Sequence, residues 1–151
     1  MQTPGSLQMV ESVSTGLKPV RRSRADLRVR YAETDQMGKA HHMQYLSWFE
    51  LGRIELLRAN GISYADLERA GVLFPVTRAE IEYRQAVGYD EEVQIWTDIG
   101  ELRSCTVTFS HEARRAVDGG LLARGRTVVA CTDRDGRMRS IPGMVVTSLI
   151  G

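Results

Sequence analysis

Two hydrophobic rhythms divide the chain. Between His42 and Asn60, Tyr45, Trp48, Phe49, Gly52 and Leu56 recur at three- and four-residue spacing, and Leu46, Ile54 and Leu57 widen the stripe. Such a broad apolar face predicts a long helix embraced by a sheet rather than one lying on a surface. Gly52 in mid-stripe costs about 1 kcal/mol of helix propensity relative to Ala, which points to close approach of a strand. Asn60-Gly61 stops the helix, and Ser63 caps a short second one ending at Gly71.

Elsewhere the period is two. Asp26–Tyr31 predicts a first strand, and Phe74–Val87 a second, with a phase slip at Thr77-Arg78 that calls for a bulge. Val93–Leu102, Cys105–Ala113 and Leu121–Thr132 are long strands, with Asp118-Gly-Gly120 and Asp133–Gly136 as turns. Met138–Ile141 predicts a short last strand, and Pro142-Gly143 ends the regular part. The fold class is therefore α+β: one curved antiparallel sheet wrapped around one long central helix. Residues 1–25, rich in Ser, Thr and Gly and ending in the basic run Lys18–Arg24, are expected to form a flexible solvated arm, and residues 26–151 a single domain. So small a sheet has edges to cover, and pairing with a second copy covers one, so at least a homodimer is expected.

Composition narrows the function classes. With 20 basic and 19 acidic residues the net charge is +1, which gives no support to a nucleic-acid partner. No apolar run approaches the roughly 18 residues of a membrane span, and the first residues lack the apolar core of a signal peptide, so a cytoplasmic location is expected. Cys105 and Cys131 fall in strand-like runs and are expected to be reduced core thiols.

Chemistry concentrates between the first strand and the long helix, where Asp35, Gly38, His41 and His42 fall within eight residues. A helix N-terminus presents unpaired N–H groups and a favourable dipole, suited to an oxygen gaining negative charge. Asp35 could serve as general base or nucleophile, or merely cap the helix or pin the loop. A paired-histidine metal site is disfavoured, because Glu33 is expected to point the wrong way on a strand. His111, on an apolar strand face, is expected to be a core histidine.

The run Val29-Arg-Tyr-Ala-Glu-Thr-Asp35, followed by Met37-Gly38, His41-His42, Tyr45, Trp48-Phe49-Glu50 and Arg53, resembles the signature of the 4-hydroxybenzoyl-CoA thioesterase type of hotdog-fold protein, in its small bacterial acyl-CoA thioesterase branch. The similarity runs from residue 26 to 142. It implies a hotdog fold, a homodimer or homotetramer with active sites between subunits, and hydrolysis of acyl-CoA or acyl-carrier-protein thioesters without metal or organic cofactor. Asp35 then occupies the catalytic position. His42 opens the helix and offers its backbone N–H to the thioester oxygen. His41, Tyr45, Trp48 and Phe49 are expected near the substrate, the aromatic ones first as core. Arg84 and Arg103, with Arg78, are expected to meet the anionic CoA phosphates. The chain departs from the family at Arg84-Gln-Ala-Val-Gly88, where a basic residue and Pro are common, and at Met43-Gln44. A hydratase or dehydratase acting on acyl thioesters, and a non-catalytic acyl-thioester-binding protein, are the rival expectations.

Overall fold

The computed structural model describes residues 18–151, so residues 1–17 of the arm expected over residues 1–25 lie outside the described residues. The elements run β1 (Arg22–Arg28), α1 (Gln44–Ala59), α2 (Tyr64–Arg69), β2 (Val76–Tyr83), β3 (Glu92–Leu102), β4 (Thr106–Arg115), β5 (Leu121–Ala130) and α3 (Gly143–Ile150). The strands form one five-stranded sheet in the order β1-β3-β4-β5-β2, every neighbouring pair antiparallel. The period-two pattern of β3 and β4 is realised in full. Val93, Ile95, Ile99, Val107, Phe109 and Ala113 face inward and are buried, while the alternate positions face out. The bulge expected near Thr77-Arg78 is present, as a register shift between Val76 and Arg78.

α1 fills the sheet's inner face. Tyr45, Trp48, Phe49, Gly52, Leu56 and Leu57 are buried on it, and Phe49 and Leu56 are wholly enclosed. Each of those two side chains contributes about 1.5–3 kcal/mol by burial. Gly52 is where helix and sheet touch: a Cβ there would lie 2.2 Å from Thr97 Oγ1 on β3. Leu46, by contrast, is exposed and Ile54 only half-buried, so the apolar stripe is narrower than its sequence implies. The helix stop holds at Asn60, whose side chain bonds Leu56 O and both backbone groups of Val20. Gly61 takes φ +77° beyond it. Ser63 caps α2 by accepting the Asp66 N–H.

Other expectations are corrected. β1 begins at Arg22 and ends at Arg28, taking up part of the basic run assigned to the arm, because Arg22 and Arg24 lay their guanidinium groups over Trp96. Tyr31–Glu33 is a 3₁₀ turn rather than strand. Met138 makes only an isolated bridge with Thr132, not a strand. The regular structure does not end at Pro142-Gly143, since α3 follows and buries Val145 and Leu149 against the far end of α1. Cys105 and Cys131 are both free, the latter buried and the former half-buried.

Candidate active site

The elbow between β1 and α1 is a tight hairpin. Thr34 bridges Ala40, Asp35 N–H donates to Lys39 O, and Gly38 closes the turn at φ +77°, a conformation that suits glycine. The hairpin is docked on the loop before β3: Ala40 N–H donates to Val87 O, and Lys39 bridges Gly88. Asp35 sits inside this turn and is half-exposed. Its Oδ1 accepts the N–H groups of Met37 (2.9 Å) and Lys39 (3.3 Å). Oδ2 has no partner among the described residues. Asp35 therefore pins the loop with one oxygen and presents the other; it does not cap the helix.

His41 braces the turn leading into α1, whose N-cap position is Met43, with no side-chain cap. Its carbonyl accepts Gln44 N–H (2.9 Å) and its Nδ1 accepts Met43 N–H (3.1 Å), so Nδ1 is unprotonated in this geometry. His42 lies in the turn before α1 rather than within it, exposed, its ring stacked on His41 at 4.3 Å. Its carbonyl accepts the Tyr83 hydroxyl (2.9 Å), and its N–H has no partner among the described residues. No carboxylate among the described residues is hydrogen-bonded to either imidazole.

From this entrance an aromatic path leads inward. Tyr45 packs edge-on to Tyr83 at 5.3 Å and against Trp48 at 4.7 Å. Burial, then the nearby Tyr83, pushes the Tyr45 phenol up to about 12, against a smaller opposing pull from Arg115, so it stays protonated at neutral pH. Trp48 borders a surface groove with Leu27, Leu51 and Ile54. Phe49 is sealed in the core, stacked on His111 at 4.5 Å and 6°.

Two groups that sequence reasoning undervalued hold the elbow in place. Glu33, expected to point away, is buried in its 3₁₀ turn and accepts Arg30 N–H (2.7 Å) and the Trp48 indole (3.1 Å). Burial alone would raise its pKa; the Arg30 N–H, the indole and the Arg30 guanidinium outweigh it and hold the carboxyl below its usual range. Arg115 grips the loop beneath the elbow, bonding Glu91 (3.0 Å), Gln85 (3.1 Å) and Ala86 O (2.9 Å). Lys39, in the elbow itself, is the cation nearest Asp35 in the chain.

The arginines expected near CoA make ion pairs of their own within this chain. Tyr83 turns inward to His42, so the pleat sends its neighbour Arg84 to the outer face, where it pairs with Glu82 at 2.6 Å. Arg103 pairs with Glu101 past the far end of β3, a strand of 11 residues that starts beside the elbow's docking loop. At the ordinary strand rise that is roughly 35 Å away. Arg78 pairs with Glu80. Within one chain, neither Arg84 nor Arg103 is brought to the elbow.

Deeper along α1 lies a second polar chain. Arg53 reaches Thr127 Oγ1 (3.4 Å), Thr127 bonds His111 Nε2 (2.8 Å), and His111 Nδ1 bonds Thr97 Oγ1 (3.1 Å), all buried. Desolvation, helped by Arg53, drives the His111 pKa down to about 3, so the ring is neutral. His111 is a core histidine, as its strand phase predicts.

An antiparallel sheet curled round one long helix, with a polar elbow feeding that helix, defines the hotdog class of α+β domain. Solved structures agree. The Thermus thermophilus protein TT1821 superposes with a TM-score of 0.79 at 35% identity, over 84% of this chain and 94% of that one. The DHNA-CoA thioesterase from Staphylococcus aureus does so at 0.76 and 31%, over 79% and 80%. The acyl-CoA thioester hydrolase YbgC of Escherichia coli O157:H7 is 30% identical over 107 residues, covering 71% of this chain and 79% of its own. The model of the thioesterase-like superfamily matches residues 29–149, and the chain belongs to that family. The hotdog fold and the thioesterase kinship read from the elbow motif are both borne out.

Proposed function

We infer that this protein hydrolyses acyl-CoA thioesters at the elbow. One observation carries the assignment. Within the elbow, one carboxylate oxygen of Asp35, an acceptor, and the N–H of His42, a donor, are left without partners among the described residues. Those are the two groups thioester hydrolysis needs. The free Asp35 oxygen activates water as a general base or attacks the carbonyl carbon itself. The His42 N–H, at the positive end of α1, takes the carbonyl oxygen as it gains charge; losing one such donor costs about 2.7–4 kcal/mol of transition-state stabilisation. His41 acts through its contacts with the Met43 and Gln44 N–H groups, which hold the His42 peptide in the turn between them. Kinship with the YbgC and DHNA-CoA enzymes supports the acyl-CoA class.

A second copy is part of this reading. β2 pairs only with β5, and nearly all its residues are exposed in the single chain. Edge-to-edge pairing of β2 with its counterpart would cover that edge and bring partner residues beside Tyr83 and His42. A partner's cations would then serve the CoA phosphates that Arg84 and Arg103 of the same chain do not reach.

The hydratase rival needs an imidazole coupled to a carboxylate, and the described residues contain none: His41 spends Nδ1 on Met43, and His111 is sealed between threonines. The test is a panel of acyl-CoAs, an enoyl-CoA included, with thiol release and double-bond loss followed together. Release of free CoA with the double bond retained is expected. Hydration without thiol release, or saturable binding with neither, would overturn the assignment.

A further inference from the structure

More than two turns along α1 from the elbow, a cavity lies between α1, α2, α3 and the inner face of β4 and β5. Its volume is about 40 Å³, several times the roughly 10–15 Å³ that a single water needs. Leu57, Leu67, Phe74, Phe109, Val145 and Leu149 form much of its wall, and all six are buried. An apolar cavity of this kind stays dry and takes apolar groups. Glu50 is exposed and Ile54 and Tyr64 half-buried, so these three mark the mouth. None of the lining residues belongs to the elbow.

One residue of the wall is out of keeping with the rest. Arg53 is only 9% exposed, yet its sole hydrogen bond runs from Nη1 to Thr127 Oγ1, at a long 3.4 Å. Its Nε and Nη2 have no hydrogen-bond partner among the described residues, and no ion pair among them includes this guanidinium. The polar chain that is closed around His111 is therefore open at its Arg53 end. Burial pulls the Arg53 pKa down, with Glu50 and then Tyr64 opposing, but a guanidinium stays charged in a folded protein. Tyr64 spends its hydroxyl hydrogen on Phe74 O (3.1 Å). The other buried charged residue, Glu33, is met by both Arg30 and the Trp48 indole. A buried charge left without such partners is costly, and here the unmet donors belong to a residue that lines an apolar cavity.

We propose that this cavity binds a short-chain monocarboxylate, its tail among Leu57, Leu67 and Phe109 and its carboxylate on the free Nε and Nη2 of Arg53. Those two nitrogens lie side by side on the guanidinium and offer the parallel pair of N–H groups that a carboxylate accepts. The small volume sets the tail length, since a long acyl chain does not fit. Glu50 is the one negative charge at the mouth, so it opposes an anionic ligand and weakens binding without abolishing it. The ligand is held rather than hydrolysed, and the site stands independently of the chemistry at the elbow.

The test titrates hexanoate and its uncharged match, hexanamide, into the full chain, following backbone amide shifts by NMR. Hexanoate should saturate and shift the amides of Leu67, Val145 and Leu149 while leaving those of the elbow in place. Arg53→Gln, with circular dichroism confirming the fold, should weaken hexanoate by about tenfold or more and hexanamide by less than about twofold. Glu50→Gln, an exposed change that leaves the core alone, should tighten hexanoate by about twofold or more and leave hexanamide unchanged. A merely structural role for Arg53 would move both ligands together and give Glu50→Gln no effect. Equal affinity of the wild type for acid and amide, shifts confined to the elbow, or no saturation by hexanoate would overturn the proposal.

Discussion

Two of the three histidines stand in the elbow and the third in the core, and the contrast between those places separates a site from a scaffold. Around His111 both ring nitrogens are bonded, Thr97 and Thr127 close the chain on either side, and Phe49 covers the ring. Around His41 and His42 the network is open, and Asp35 Oδ2 and His42 N are among the groups it leaves without partners in the described residues. A buried polar cluster that satisfies itself specifies packing. A surface turn that leaves an acceptor and a donor unpaired has something left to offer a substrate.

The largest effect that should sharpen this contrast is the pH dependence of stability. The native pKa of His111 is about 3, below the ordinary value of 6.5 that the unfolded chain would show. Below pH 6.5 the unfolded state therefore takes up a proton that the native state refuses. Stability is full above 6.5 and is lost as pH falls toward 3. The lowered carboxyls of Glu33, Glu82 and Glu91 act only below their ordinary value of 4.5, which leaves pH 4.5–6.5 to His111. Denaturant titrations should show a loss of up to about 2.7 kcal/mol across that window. His111→Asn should flatten it; an unchanged slope would move the effect to another group.

Next comes the contact that seats the helix. Gly52→Ala drives a methyl group into Thr97 Oγ1, which also holds His111. A stability loss of about 1–3 kcal/mol is expected in chemical denaturation. A neutral result would mean that helix and sheet are less tightly joined than this contact implies.

The smallest effect belongs to the arginines. Arg84→Ala and Arg103→Ala should each change kcat/KM by less than about threefold, as exposed ion-pair members outside the elbow. A tenfold rise in KM for either would place it at a partner's CoA site.

Much of this was legible in the sequence because period and punctuation carry it. Gly52 announced the close strand, Thr77-Arg78 the bulge, Asp118-Gly-Gly120 the hairpin, and Asp35–His42 the elbow. α3 was not legible: Gly143–Ile150 is rich in Val, Ile and Thr with no polar face, a composition that favours strands, and only burial of Val145 and Leu149 makes it helical. The polar chain from Arg53 to Thr97 needs the β3–β4–β5 register, in which Thr97 lies opposite His111, and sequence spacing does not contain that. The direction of Arg84 is illegible for a similar reason. Its charge suits CoA, but the pleat after Tyr83 turns it to the other face. Glu33 was misread because a 3₁₀ turn redirects a side chain that strand phase would have sent outward.

The central claim is that catalysis at the elbow rests on the Asp35 carboxylate and the His42 amide, with the imidazoles as support. The direct measurement is kcat/KM for one good acyl-CoA in Asp35→Asn and His42→Ala, side by side with wild type. Asp35→Asn should fall by about 10²–10⁴-fold with its fold intact. His42→Ala, which keeps the backbone N–H, should stay within about tenfold. A near wild-type rate in Asp35→Asn, or a deeper loss in His42→Ala than in Asp35→Asn, would contradict the account.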